Sequence, residues 1–132
     1  MSISEHDLVD LARALHEHAE EEVDNRAAIS RAYYAAYHRC LDFHSQLPYP
    51  GKDSRDSKAG VHDRLIHRLC NPTVTNEALS MHSRALGHKL LTLKKRRHEA
   101  DYLLRRTVSP KAAELAVLEA ENLMRFTQPE SA

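Results

Sequence analysis

Hydrophobic residues recur every three or four positions along most of the chain, which predicts helices. The first stripe consists of Leu8, Leu11, Ala12, Leu15, Ala19 and Val23. This one-sided spacing is typical of an amphipathic helix. Ser4 followed by Asp7 resembles a capping box at a helix start, so a first helix is predicted over residues 4–23.

The second predicted helix begins at Asp24 or Asn25, either of which can cap it, and runs to about Leu47. Its segment AAISRAYYAAYHRCLDF is rich in alanine. Small side chains let neighbouring helices approach closely, so this helix is predicted to be central. Its predicted buried face holds Ile29, Tyr33, Ala36, Tyr37, Cys40 and Leu41.

Turn residues divide the rest of the chain. The segment 48–60 is polar, rich in proline and glycine and without periodicity, which predicts a flexible loop. A short third helix is predicted over residues 61–70, with Val61 among its inward residues, and Asn71-Pro72 ends it. A fourth helix is predicted from about Thr75 into the run KKRRHEADYLLRR, although Gly87 lies inside it.

Ser109 as N-cap and Pro110 in the first turn predict a last helix, which runs to about Phe126. Leu115 and Leu118 are among its predicted apolar contacts. The pattern as a whole predicts one all-α domain over residues 1–132, an up-and-down bundle of four to five helices.

Composition restricts the class of protein further. A chain of 132 residues can form a core without disulfides or metals, and Cys40 and Cys70 form no CxxC pair. The sequence has neither a basic, apolar leader nor a run long enough to span a bilayer. A reduced, cytoplasmic protein with no membrane partner is expected.

The formal net charge is zero, but the charges are unevenly distributed. Residues 1–25 hold eight acidic residues and one basic residue, whereas residues 84–106 hold eight basic and two acidic residues. The basic segment could bind an anion, form a solvated helix face, or dock against the acidic first helix.

The segment from Ser30 to His38, SRAYYAAYH, resembles the second-helix signature of the HEPN family, S-R-x-Y-Y-A-x-[FY]-H. Two later features occur in the order found in that family. His62 opens the third helix after the loop, and Arg97 to Tyr102, RHEADY, resembles the R-x-x-A-D-Y signature of the fourth helix. The resemblance spans residues 5–125.

The resemblance implies a helix bundle that forms a homodimer and is often encoded beside a minimal nucleotidyltransferase. Many HEPN proteins cleave RNA without a metal, with an Arg-x(4–6)-His motif from each of two copies meeting in one site. Here Asp101 and Tyr102 stand where that histidine would follow Arg96 or Arg97, so any active site is divergent.

RNA cleavage without a metal needs a base, an acid and a cation on the phosphate, roles that suit histidine and arginine. The candidate catalytic residues are Arg97, His62, Arg31 and His38, provided that the second, third and fourth helices converge. Alternatively, Arg31 and His38 make buried contacts with Asp101 and Tyr102, including an Arg31–Asp101 ion pair, and only stabilise the bundle.

The candidate RNA- or nucleotide-binding residues are Lys95, Arg96, His98, Asp101 and Tyr102. The three tyrosines of the second helix either stack on bases or belong to the core or a dimer interface. No metal or cofactor is expected, because the sequence has no HExxH, CxxC or glycine-rich phosphate loop.

Three functions follow as hypotheses. The first is an RNA-acting module, a ribonuclease-like toxin or phage-defence component. The second is a non-catalytic, nucleotide-binding partner of a minimal nucleotidyltransferase, in which Tyr102 is available for modification. The third is a structural dimerisation or adaptor domain.

Overall fold

A computed structural model describes residues 3–127, which form five helices and contain no strand. The predicted all-α fold is therefore confirmed. The helices are α1 (Glu5–Glu17), α2 (Glu22–Ser45), α3 (Val61–Cys70), α4 (Glu77–Tyr102) and α5 (Pro110–Phe126). Within the same range, none of these helices is both long and apolar enough to cross a membrane.

The predicted helix starts at Ser4 and Ser109 are confirmed. The Ser4 hydroxyl accepts the N–H of Asp7, and the Asp7 carboxylate accepts the N–H of Ser4, which completes a capping box. The Ser109 hydroxyl accepts the N–H of Ala112 at the start of α5. Local sequence therefore sets both of these boundaries.

The predicted boundary between the first two helices is wrong. α1 ends at Glu17 and α2 already begins at Glu22. Asp24, predicted as a cap, lies inside the first turn of α2, where its carboxylate accepts the N–H groups of Glu20 and Glu21. An acidic side chain at the third helical position satisfies N–H groups that precede it, so the helix starts earlier than Asp24.

α2 is the central helix, as predicted, and packs against each of the other four helices. Ala28, Ala32, Ala35 and Ala36 have no exposed surface, which is how the small side chains bring the neighbouring helices close. α5 packs on α2, with α1 on one side of this pair and α4 on the other. α1 and α4 do not touch each other, and α3 packs mainly on α4.

Several apolar side chains predicted to face inward are exposed instead. Leu115 is 39% exposed and Leu118 is 44% exposed, because the inward face of α5 is occupied by smaller residues such as Ala116 and Ala120. Those small residues allow α5 to lie close to α2, which leaves the leucines on the outer surface. Leu11, Val23, Leu41, Val61 and Phe126 are exposed as well.

Gly87 does not interrupt α4, which continues through it. A Cβ atom at this position would lie 2.5 Å from Cys70 Sγ and 3.0 Å from the Cys70 nitrogen. Gly87 therefore allows the end of α3 to lie directly against α4, at a distance that a side chain would not permit.

Arg26, near the start of α2, determines how α4 ends. Its Nη1 donates hydrogen bonds to the carbonyl oxygens of Glu99, at 3.2 Å, and Ala100, at 2.8 Å, and its Nη2 donates to the Arg106 carbonyl. The last carbonyls of a helix have no partner within the helix. Arg26 supplies that partner to Ala100 from a different helix, and it adds a second donor to the Glu99 carbonyl, which also accepts the Leu103 N–H at 3.3 Å.

Candidate functional site

A group of aromatic and charged side chains lies where α2, the start of α3 and the end of α4 meet. We call it the His–Arg cluster. It contains Ser30, Tyr33, Tyr34 and Tyr37 from α2, His62 from α3, and Arg97, Asp101 and Tyr102 from α4. The α2 residues occur at spacings of three and four, so they lie along one side of that helix.

His62 is held by two tyrosines. Its ring stacks on Tyr37, with centroids 4.1 Å apart, and its Nδ1 lies 2.5 Å from the hydroxyl oxygen of Tyr33. Tyr33 is completely buried, and a buried tyrosine hydroxyl requires a hydrogen-bond partner. His62 is the only partner of this hydroxyl within residues 3–127, so the contact fixes the orientation of the imidazole.

The pKa of His62 is lowered from its usual 6.5, first by burial and then by the positive charges of Arg97 and Lys94. The ring is therefore neutral at neutral pH. In the tautomer in which the Tyr33 hydroxyl donates to Nδ1, the neutral ring carries its proton on Nε2. His62 then presents an N–H donor, rather than a base, to a ligand.

Arg97 lies over three tyrosine rings. Its Cζ atom is 5.3 Å from the ring centroid of Tyr33 and 5.4 Å from those of Tyr34 and Tyr102, within range of cation–π attraction. Its Nε donates to Asp101 Oδ2 at 3.1 Å. The aromatic rings and the carboxylate together fix the guanidinium, whose side chain is only 15% exposed.

Two tyrosine hydroxyls also accept hydrogen bonds from Arg97. Nη2 donates to the hydroxyl oxygens of Tyr34, at 3.3 Å, and Tyr102, at 3.2 Å. Both hydroxyl protons therefore remain free to be donated elsewhere. Nη1 of Arg97 makes no hydrogen bond to any residue that the structure describes.

The groups that the cluster leaves unused are hydrogen-bond donors. Asp101, its one carboxylate, is already engaged by Arg97 and by the Ser30 hydroxyl, which donates to it at 3.3 Å. The free donors are Nη1 of Arg97 and the hydroxyls of Tyr34 and Tyr102, joined by Nε2 of His62 in the tautomer in which Nδ1 accepts from Tyr33. Several donors around one cation suit an anion with several acceptor oxygens, such as a phosphate group.

The predicted buried contacts of Arg31 and His38 are wrong. Both side chains are exposed, and Asp101 pairs with Arg97 instead of Arg31. The physical reason is that Arg97 precedes Asp101 by four residues on one helix face, whereas Arg31 points to solvent beside Ser30. The ring of His38 lies edge-on to Tyr37, with centroids 5.3 Å apart, at the margin of the cluster.

The remaining candidates on α4 do not all face the cluster. Arg96 forms a two-point ion pair with Glu119 of α5, at 2.8 and 2.7 Å. Lys95 is exposed and, two residues before Arg97, lies about 200° around the helix from it. The ring of His98 lies 5.3 Å from that of Tyr102 and borders the cluster.

The suggestion that the basic segment docks against the acidic first helix is also wrong. α1 and α4 are not in contact. The basic residues of α4 pair with other helices, Lys94 with Asp63 of α3 and Arg96 with Glu119 of α5. The exposed acidic side chains of α1 therefore receive no counter-charge from the basic segment.

The aromatic floor of the cluster cannot be identified from the sequence. The pattern is compatible with Tyr33 and Tyr37 in a core, in a dimer interface or on a stacking surface, and it indicates no separate role for Ser30. The spacings of three and four residues among Ser30, Tyr33, Tyr34 and Tyr37 indicate one side of a helix, but nothing in the sequence shows that His62 lies against them. That contact depends on the path of the loop before α3.

The described part of the chain contains no group of three or more histidine, cysteine, aspartate or glutamate side chains placed to hold a metal ion.

Comparison with models of protein families, with curated proteins and with solved structures finds no match to this chain.

Proposed function

We propose that this protein acts on RNA, and that the His–Arg cluster binds the phosphate backbone as a divergent ribonuclease-like site. The observation that carries the proposal is the convergence of His62 and Arg97 on one tyrosine floor, with their free N–H donors available to an anion. The resemblance of SRAYYAAYH and RHEADY to HEPN signatures supports the same conclusion.

The surroundings of the cluster favour RNA over a simple anion. Tyr102 is 60% exposed and its ring is available for stacking on an unpaired base. Arg105 is exposed three residues further along the chain and adds positive charge beside the cluster. A single-stranded RNA segment would thus place a phosphate on Arg97 and a base on Tyr102.

Two exposed histidines border the cluster, His38 beside Tyr37 and His98 beside Tyr102. In the proposed reaction one of them removes the proton of a ribose 2′-hydroxyl, whose oxygen attacks the adjacent phosphorus. The other protonates the departing 5′-oxygen. The products are a 2′,3′-cyclic phosphate and a 5′-hydroxyl, and Arg97 and His62 bind the phosphate oxygens.

The test measures both binding and cleavage of a fluorescent single-stranded RNA with EDTA present. Arg97→Ala should weaken binding by at least about tenfold and His62→Ala by about fivefold, since a hydrogen bond from a charged group contributes about 1.5–3 kcal/mol and one from a neutral group about 1 kcal/mol. Arg96→Ala and His67→Ala are the matched controls, because Arg96 faces α5 and His67 lies about 140° around α3 from His62. Equal effects in controls and cluster variants would contradict the proposal.

Cleavage separates the two halves of the proposal. His38→Ala or His98→Ala should abolish cleavage while RNA binding persists. Wild-type protein that binds RNA through Arg97 but yields no cyclic phosphate would be a binding module and not a nuclease. Wild-type protein that neither binds nor cleaves RNA would refute an RNA function.

A second candidate is a non-catalytic partner of a minimal nucleotidyltransferase. The observation that favours it is the position of the Tyr102 hydroxyl, which lies on an exposed side chain beside the guanidinium of Arg97, whose Nη1 is free. A nucleotide bound there would lie beside a modifiable hydroxyl. The mass of the protein after incubation with such an enzyme and ATP, compared with that of Tyr102→Phe, tests this candidate directly.

A further inference from the structure

An open pocket of about 420 Å³ lies at one end of the bundle, where the turn between α1 and α2 meets the segment that joins α4 to α5. His16 and Asn25 line it, together with Glu20, Glu21 and Glu22. We call it the Asn25 pocket. Its volume falls within the range of about 300–1,000 Å³ that is usual for small-ligand sites, and it shares no residue with the His–Arg cluster.

Two polar atoms buried in the lining of this pocket have no partner in the protein. Asn25 is only 5% exposed, and its Oδ1 makes no hydrogen bond within residues 3–127. The buried Nδ1 of His16 makes none in that range either. Ser83, another buried polar residue, does donate to the Leu69 carbonyl at 2.8 Å, as buried polar groups nearly always do. Two unpaired atoms lining one pocket therefore indicate a ligand that supplies their partners.

These two atoms select a ligand that donates hydrogen bonds. Oδ1 of Asn25 can only accept, and Nδ1 of His16 accepts in the tautomer that carries its proton on Nε2. The backbone N–H of Val108, which also lines the pocket, already donates to Glu22 Oε1 at 3.1 Å. The pocket is thus the converse of the His–Arg cluster, whose unused groups are donors.

The charge of the pocket favours a cation. Among the described residues, three glutamates line it and no lysine or arginine does. Glu22 pairs with Arg26 at 2.7 Å. The exposed carboxylates of Glu20 and Glu21 form no ion pair with any residue from 3 to 127. Two negative charges therefore remain at the mouth of the pocket without a counter-charge from the chain.

The two helix starts that border the pocket do not make it an anion site. The N–H groups before α2, those of Glu20 and Glu21, donate to the Asp24 carboxylate. At the start of α5, the Ser109 hydroxyl accepts the N–H of Ala112. The partial positive charge of each helix start is therefore already met from within the chain.

The rest of the lining suits an alkyl chain. Ala19, Val108 and Pro110 supply apolar surface beside the polar atoms. A cation carried on methylene groups can pack its stem against such a surface while its charged end reaches polar partners. Amines and guanidines on alkyl chains have this form, whereas a bare metal ion does not.

We propose that the Asn25 pocket binds an alkylammonium or guanidinium group. The N–H donors of the group bond to Oδ1 of Asn25 and Nδ1 of His16, and the carboxylates of Glu20 and Glu21 offset its positive charge. Two sources carry such a group: a free polyamine, and a lysine or arginine side chain of a partner protein.

An NMR titration of the isotope-labelled full chain tests the chemistry of the site. Butylammonium and tetramethylammonium are isomers with the same charge, but only butylammonium has N–H donors. Butylammonium should shift the side-chain amide signals of Asn25 and the backbone signals of Glu20 and Glu21. Tetramethylammonium at the same concentration should leave the Asn25 amide unchanged. Equal shifts with both ions, or no shift with either, would overturn the proposal.

Variants separate a ligand site from a structural role of the amide. Asn25→Leu should raise the dissociation constant of butylammonium by at least about tenfold, the loss expected for one hydrogen bond to a charged group. It should leave the urea midpoint unchanged or raise it, because the unpaired amide destabilises the free protein. A lower midpoint with unchanged binding would show that the amide serves only the fold and would overturn the proposal.

The charge at the mouth is tested without touching the buried amide. Glu20→Gln/Glu21→Gln should weaken butylammonium binding several-fold, because it removes both unpaired carboxylates. Glu77→Gln is the matched control, since Glu77 is exposed and begins α4, whereas the pocket lies beyond the other end of that helix. Equal binding by the double variant and the control would contradict a cation site.

Spermidine and a capped tripeptide with a central arginine distinguish the two sources. Tighter binding of spermidine assigns the pocket to free polyamines, and tighter binding of the tripeptide assigns it to a side chain of a partner protein. Failure of both to shift the Asn25 amide would overturn the proposal. RNA binding by Asn25→Leu should equal that of the wild type, so the cation site and the RNA site can each fail alone.

Discussion

Replacing Gly87 with alanine should destabilise the protein, although alanine is the better helix former. In a helix interior this change alone is worth about 1 kcal/mol in favour of alanine. Here the new Cβ would lie 2.5 Å from Cys70 Sγ, 3.0 Å from the Cys70 nitrogen and 3.1 Å from Leu69 Cβ. All three distances are shorter than the roughly 3.5–4.0 Å at which nonpolar atoms attract.

The magnitude follows from these two opposing effects. α3 must move away from α4 by about 1 Å to relieve the contacts, and overpacking of this kind costs about 1–3 kcal/mol. The Cys70 nitrogen belongs to the backbone and cannot rotate aside, which places the cost in the upper part of that range. The free energy of unfolding should therefore fall by about 1–2 kcal/mol after the gain in helix propensity is subtracted.

Urea denaturation followed by circular dichroism measures the effect. Gly60→Ala is the control, because a Cβ at Gly60 would meet nothing within 4 Å. Cys70→Ala removes the nearest atom, so the cost of Gly87→Ala should be smaller in that background. An increase of about 1 kcal/mol in the stability of Gly87→Ala, as propensity alone predicts, would refute the reasoning, as would equal costs in both backgrounds.

Two further predictions concern the loop and the histidines. Gly51→Ala should lower the free energy of unfolding by about 1–3 kcal/mol. The new Cβ would overlap the Arg68 carbonyl group, and backbone atoms cannot rotate away. Urea denaturation that gives an unchanged free energy of unfolding would contradict this prediction. Burial lowers the pKa values of His44, His62 and His82 from their usual 6.5. Below that pH the unfolded chain therefore binds more protons than the folded chain. The free energy of unfolding should fall as the pH drops from about 6.5 towards 5. His82→Phe should make this fall less steep, and an identical pH profile in that variant would rule out a contribution from His82.

The helices were predictable wherever a local signal defines them. Ser4 and Ser109 begin helices through hydrogen bonds to residues three positions away, and such signals are present in the sequence itself. The start of α2 was missed because a glutamate, Glu21, occupies the cap position, and the run of acids from Glu20 contains several residues able to fill it.

Periodicity alone could not predict that Leu115 and Leu118 lie on the outer surface of α5. Leu115 and Leu118 fit a helical stripe as well as Ala116 and Ala120 do. Only the close approach of α5 to α2 decides that the alanines face inward, and that distance is a tertiary property. A pattern of apolar positions gives the period of a helix but not which of two adjacent stripes is buried.

The candidate site was predictable in its members but not in its arrangement. His62, Arg97 and Tyr102 were all expected in a functional role, and the structure brings them together. The sequence suggests Arg31 as the partner of Asp101, yet Arg97, four positions before Asp101 on the same helix, pairs with that carboxylate instead. To choose between these two partners one must know how α2 is rotated about its own axis relative to α4, and the sequence does not specify that rotation.

The contacts of Arg26 with the end of α4 bear on the order in which the chain folds. No glycine follows Tyr102 to close the helix locally, and the Ala100 carbonyl is satisfied from α2 by Arg26. A peptide of α4 alone should therefore unravel from its C-terminal turn. We expect the turn that carries Asp101 and Tyr102 to become ordered only once α2 has docked, so that completion of the His–Arg cluster depends on a residue more than seventy positions earlier in the chain.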